Sequence, residues 1–230
     1  MPDTVYEYQG GRQIIERRGQ NENGPLFICF HGGGFGGGKP DQLSPLVETL
    51  SPLACRFALP EYRMTMPEPL EAVMERGQLA VSKILERHRT GPVVLCAFSA
   101  GAPLAFWAQD LAKGRLKGMV FVSPVVDLGP KGFCNRAMRG KPRPDLSPLH
   151  ALSQQLKSLL APVFLVQGGK DETTPLARAK LFMDFAKKSQ PDSQLLVRPN
   201  AGHRLVKNEL QLKIIYPEVK NFLTEHLARP

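Results

Sequence analysis

Four short stretches of the chain are oily at every position: 26–30 (LFICF), 93–97 (VVLCA), 119–122 (MVFV) and 163–166 (VFLV). A half-exposed strand alternates oily and polar residues. Unbroken short runs instead predict strands covered on both faces, as in a parallel sheet packed between helices. Residues 195–197 add a shorter strand and 55–59 a weaker one. The more polar 5–18 region is expected to supply one or two edge strands before the parallel part. Between these runs the period changes. Leu70, Val73, Leu79, Ile84 and Leu85 form an oily stripe on a helix ending near His88. Residues 103–112, 177–188 and 210–227 predict further helices. Pro103 falls early, where a missing N–H matters least, whereas Pro217 is expected to kink or divide the last helix. Strand and helix in repeated order predict a three-layer α/β domain whose strand-end loops gather along one functional rim.

Residues 127–148 break this rhythm. Gly129, Pro130, Gly132, Gly140, Pro142, Pro144 and Pro148 exclude a regular long helix. Within 131–143 stand Lys131, Arg136, Arg139, Lys141 and Arg143 with no acidic residue. Two readings stay open: a solvated excursion between sheet elements, or a short substrate-facing wall. There is no internal repeat and no linker, so 230 residues are expected to form a single domain.

Composition narrows the partners only slightly. The formal charge of +9 favours anionic surroundings. The basic segment nevertheless lacks aromatic interleaving and any nucleic-acid motif, so nucleic acid is not the expected partner. Cys29 and Cys96 lie inside oily runs, where a reduced thiol packs as a small hydrophobe. With Cys55 and Cys134 they show no metal-ligand spacing and no disulfide framework. The start of the chain has no basic n-region followed by an apolar h-region, and no run reaches membrane-spanning length. Cytoplasmic residence is the expectation.

The chemistry centres on Ser99. It interrupts the oily 93–98 run in Ala97-Phe98-Ser99-Ala100-Gly101, with a strand before it and a helix after it. Such a turn lifts a hydroxyl above the sheet while the helix aims its first amides at the same space. The alternative is a serine that merely caps the helix. Earlier, Cys29-Phe-His31-Gly32-Gly33-Gly34-Phe35-Gly-Gly-Gly38 follows the first oily run. A phosphate loop would need Lys then Ser or Thr after its glycine, but Gly38-Lys39 is followed by Pro40. An oxyanion hole built from the Gly33, Gly34 and Ala100 amides explains both glycine-rich turns together. A flexible turn is the plainer reading.

A hydroxyl needs a base to attack, and His203 in Asn200-Ala-Gly-His203 lies between a strand and a helix. His31 is expected to organise the glycine turn, and His88 and His226 to be exposed. Asp171, just after the 163–166 strand, is the candidate orienter of His203, with Glu172 and Asp127 as rivals. Phe35, His150, Arg136 and Arg139 are candidate substrate contacts. Neither a cofactor nor a metal is expected.

The sequence at this point resembles the α/β-hydrolase esterases, especially the HGGG group and its small acetyl-esterase or feruloyl-esterase-like relatives. The resemblance rests on His31-Gly32-Gly33-Gly34, Glu61-Tyr62-Arg63, Ala97-Phe98-Ser99-Ala100-Gly101, Ser147-Pro148-Leu149, Gly168-Gly169-Lys170-Asp171 and Ala201-Gly202-His203. It implies a mostly parallel sheet flanked by helices, Ser99 as nucleophile, Asp171 as orienter and His203 as base. Ala97 departs from the usual first glycine of the serine turn. The chain also lacks a long N-terminal cap, which shifts the expected substrate toward short acyl esters, above all acetyl, of soluble molecules. Carbohydrate esters follow by analogy, and an anionic ester is a weaker inference from the basic segment. An amidase, formamidase or peptidase using the same triad is the alternative, and a noncatalytic binding protein a more distant one.

Overall fold

The computed structural model describes residues 3–63, 68–133, 138 and 140–228. Eight strands form one sheet in the order β1-β2-β4-β3-β5-β6-β7-β8. The polar segment near the start gives β1 (Thr4–Gln9) and β2 (Arg12–Arg18), an antiparallel pair at one edge. The oily runs become β3 (Leu26–Phe30), β5 (Val93–Phe98), β6 (Leu116–Val122) and β7 (Val163–Gly168). The weaker run becomes β4 (Arg56–Pro60) and the short one β8 (Gln194–Arg198). Strands β3 to β8 are mutually parallel, while β2 meets β4 antiparallel.

Covered faces explain the unbroken oily runs. Ile28, Phe30, Leu95, Ala97, Met119, Phe121 and Leu165 enter one core, joined by α2 (Leu70–Arg87), α3 (Gly101–Ala108), α4 (Pro148–Ser153) and α5 (Leu176–Ser189). Alternate residues, among them Phe27, Cys29, Val94, Cys96, Val120 and Val166, face the other way, toward α1 (Ser44–Leu50) and α6 (Glu209–Leu227). Cys29 and Cys96 are registered neighbours on β3 and β5, both buried and both free thiols.

Three expectations change. The 103–112 helix begins at Gly101 and ends at Ala108, and its last residues tighten into a 3-10 turn at Gln109–Ala112. Pro217 does not divide α6, which runs from Glu209 to Leu227. Its buried face of Leu212, Ile215, Val219, Phe222 and Leu223 carries the element past the one missing backbone bond. Two histidines expected to be exposed are not. His226 is buried against the Phe222 ring, and His88 is half-buried with Nε2 2.8 Å from the buried Glu16 carboxylate. Among the described residues no helix is long and apolar enough to cross a membrane.

Parallel topology has one consequence for chemistry. The carboxyl ends of β3, β5, β6, β7 and β8 all open onto the same rim, which is where the glycine turn, Ser99, Ser123, Asp171 and His203 stand.

Candidate active site

The β5 strand turns into α3 through Ser99, whose φ of 53° lies in the left-handed region. A residue with a β-carbon adopts that region at a strain of about 1–3 kcal/mol, so the surroundings must impose it. They do so by backbone bonding: Ser99 N–H donates to Val122 O (3.2 Å), while Ser99 O accepts from Ala102 N–H (3.1 Å) and Val125 N–H (2.9 Å). Neighbouring Gly101 permits the close approach of helix and strand. A β-carbon there would stand 2.4 Å from Phe30 O. Ala97, on the other flank of the serine, is buried within β5.

Ser99 Oγ lies 2.9 Å from His203 Nε2, and His203 Nδ1 lies 2.9 Å from Asp171 Oδ2. The tautomer follows from the partners. An ionised carboxylate only accepts, so Nδ1 carries the proton and Nε2 is left to accept from the serine hydroxyl. The Phe98 ring lies against the imidazole with centroids 5.3 Å apart. Asp171 is buried and accepts from the Thr173 and Thr174 amides on Oδ1 (2.9 and 2.8 Å). Gln167 Nε2 (2.9 Å) and the Thr174 hydroxyl (2.8 Å) donate to Oδ2 beside His203. Burial alone would raise its pKa. The hydrogen bonds from His203 and the Thr174 amide, the His203 charge and the Thr174 hydroxyl outweigh burial and hold the carboxyl below its ordinary range.

The glycine turn leaves β3 with Gly33 at φ 119°, Gly34 at 59° and Phe35 at 70°, and closes with a bond from Gly37 N–H to Gly33 O (2.9 Å). It passes directly over the serine, since a β-carbon on Gly32 would approach Ser99 Cβ to 3.2 Å. His31 organises this turn. Its Nδ1–H donates to Gly32 O (2.6 Å) and its ring stacks on Tyr62 at 4.3 Å, while the Tyr62 hydroxyl donates to His31 O. Burial pushes the His31 pKa down to about 4, against the Gly32 carbonyl bond and aided by the Arg63 charge. Nε2 of His31 is buried without a hydrogen-bond partner among the described residues. Ala100 is the N-cap of α3.

The other candidates fall elsewhere. Glu172 is exposed, and Asp127 pairs with Arg178 (3.4 Å) and accepts from Gly129 N–H (2.8 Å). Phe35 is fully buried with its ring against Phe133, 6.3 Å between centroids. His150 lines a cavity of about 320 Å³ with Asp127, Lys131, Arg178 and Phe185. Arg136 and Arg139 lie outside the described residues, as does Cys134. Two residues around Asp171 have no counterpart in the sequence reading: Gln167 and Thr174. Gln167 carried a usable signal, as a polar residue closing a strand that is otherwise wholly apolar.

Comparison with known proteins agrees with this architecture. Residues 27–146 match a family described as alpha/beta hydrolase fold, and residues 93–229 match the prolyl oligopeptidase family. Among solved structures, a butyrate-bound thermophilic esterase of the planctomycete Thermogutta terrifontis superposes with a TM-score of 0.77 at 17% identity, covering 97% of this chain and 93% of that one. The propionate-bound form gives 0.76 at 19%, covering 100% and 96%. The form phosphonylated by sarin gives 0.78 at 17%, covering 99% and 97%. At such identities the likeness concerns the fold. The family matches span more than half of the chain, and with the strand order and the serine turn above they place it: this chain belongs to the α/β-hydrolase fold family, with a C-terminal part that also matches the prolyl oligopeptidase family.

Proposed function

We propose that this protein is a serine-dependent carboxylic ester hydrolase acting on short-chain acyl esters, with Ser99 as nucleophile, His203 as general base and Asp171 as its orienter. One observation carries the reading: an unbroken row of hydrogen bonds, 2.9 Å from Ser99 Oγ to His203 Nε2 and 2.9 Å from Nδ1 to Asp171 Oδ2, under a glycine turn. In the first step His203 Nε2 takes the hydroxyl proton as Ser99 Oγ bonds to the ester carbonyl carbon. The Gly33, Gly34 and Ala100 amides receive the oxyanion, each such donor contributing about 3–4 kcal/mol to the transition state. His203 then returns the proton to the departing alcohol, and water activated by the same nitrogen releases the acid and restores Ser99.

Short acyl groups are supported by the butyrate and propionate bound to the Thermogutta esterase, and by that enzyme's phosphonylation by sarin, which suits an activated serine hydrolase. Acetate on a carbohydrate, and membership of the HGGG branch, rest on the sequence motifs and on analogy. The match of 93–229 to the prolyl oligopeptidase family favours a second reading, amide or peptide hydrolysis by the same three side chains. A panel of p-nitrophenyl esters of rising chain length, acetylated sugars and N-formyl or peptidyl amides separates the two. Ser99→Ala serves as its blank and is expected to lose about a million-fold in kcat. The replacement keeps a residue with a β-carbon at this turn and should shift Tm by no more than about 4 °C. Residual turnover equal to the parent, or fluorophosphonate labelling that persists in Ser99→Ala, removes the assignment.

A further inference from the structure

Asp171 is held by more than the base it faces. Five donors reach its two oxygens, and two of them, the Thr173 and Thr174 amides, would be present with almost any side chain. The Thr174 hydroxyl depends on residue identity. It has a single proton and two acceptors in reach, Asp171 Oδ2 at 2.8 Å and Ser123 O at 3.3 Å, and the shorter contact takes it. A hydroxyl lone pair then remains for His203 Nδ1–H, 3.3 Å away, the same N–H that donates to Oδ2 at 2.9 Å. Gln167 secures the arrangement from beneath: its Nε2 bridges Asp171 Oδ2 (2.9 Å) and Thr174 O (2.7 Å). Its Oε1 is buried and has no hydrogen-bond partner among the described residues. Flipping that amide would set a carbonyl oxygen against the carboxylate, so the unpaired acceptor accompanies a donor aimed at Asp171.

We infer that Thr174 is a positioning residue of the acid–base relay: its hydroxyl locks the Asp171 carboxylate onto His203 and gives Nδ1–H a second acceptor as the imidazole swings between Ser99 and the leaving group. The inference rests on the hydrolase reading and adds to it a residue that never touches substrate. The surroundings leave the role to Thr174. Lys170 and Glu172 on the Asp171 loop and Arg204 beside His203 are exposed. Among the described residues no hydrogen bond joins any of them to Asp171 or His203, and Ser123, just after β6, meets Thr174 through its carbonyl.

The test compares Thr174→Val, which keeps the shape and removes the hydroxyl, with Thr174→Ser, which keeps the hydroxyl and removes the methyl. Turnover of p-nitrophenyl acetate and the downfield proton resonance of His203 Nδ1–H are measured on the full chain. In Thr174→Val kcat is expected to fall about 10- to 100-fold with KM within about twofold, and the resonance to shift or broaden. Thr174→Ser should stay within about threefold of the parent and keep the resonance, because its hydroxyl is retained. A valine variant with parental kcat and an unmoved resonance overturns the inference. So does a serine variant that falls as far as valine, because the methyl would then be the active part. If valine does not fold, Thr174→Cys, of similar size with a weak donor, must fall between serine and parent on one side and a tenfold loss on the other. Failure of the hydrolase reading looks different: the parent itself would neither turn over esters nor label with fluorophosphonate, while the resonance in the variants would still report on Thr174.

Discussion

Substituting Gly101 by alanine adds one methyl group where the turn into α3 meets β3. The new carbon would lie 2.4 Å from Phe30 O and 2.8 Å from both His31 O and Phe30 C, all of them backbone atoms. No side chain can rotate away. Phe30 is the last residue of a strand paired on both sides, so the helix must retreat by about 1 Å to restore ordinary contact. α3 is a buried helix capped by Ala100, and Ser99 stands just before it, so the displacement passes to both the proposed nucleophile and the amide proposed to face the oxyanion. Overpacking of this kind destabilises by about 1–3 kcal/mol, which at this chain length lowers Tm by about 2–12 °C. A nucleophile misplaced by about 1 Å loses about 100-fold in rate. Ala97→Gly is the matched control: it removes a methyl from β5 at the other flank of the serine and should leave kcat within about threefold, at a stability loss of about 1 kcal/mol. The assay is kcat for p-nitrophenyl acetate beside the thermal midpoint for both variants. Gly101→Ala with parental kcat and Tm would refute the close approach from which the reasoning starts.

Acid should weaken the fold through His31. Its pKa is about 4 when folded and about 6.5 when unfolded, so between those values the unfolded chain binds more protons and stability falls as pH drops. The full loss is about 3 kcal/mol by pH 4, read from denaturant midpoints at pH 7, 5.5 and 4. His31→Gln should flatten that slope, and an equal slope in both proteins would assign the acid sensitivity to other groups. Glu16→Gln should destabilise by about 1–3 kcal/mol, because the buried carboxylate bonds the Tyr6 hydroxyl and His88 and lies 3.5 Å from Arg56. Burial opposes the charge on Glu16, but the His88 and Tyr6 bonds with the His88 and Arg56 charges keep its pKa below the ordinary value. The difference between parent and variant should therefore shrink as pH falls through the carboxylate range, and a difference independent of pH would count against the ion cluster.

Much of this protein could be read along the chain because the determining signals are local. An oily run with no polar break has nowhere to go but between two layers of helix, and β3, β5, β6 and β7 appear where those runs are. The serine flanked by small residues, the glycine turn, and an aspartate and a histidine just beyond strands are likewise short-range patterns, and the parallel topology brings all four to one rim. The helix containing Pro217, the burial of His226 and the bonding of His88 to Glu16 were not legible there. Each depends on an element far along the chain: the sheet face under α6, the Phe164 ring of β7 that packs on Phe222 beside His226, and the hairpin that brings residue 16 to residue 88. The same holds for Thr174, whose hydroxyl acquires a role only once Asp171, Ser123 and His203 surround it. Side-chain pattern along a chain reports which residues must leave water. Which polar groups they then meet is decided by three-dimensional packing, because hydrogen bonds act over about 3 Å and carry no trace of their partner in the neighbouring sequence.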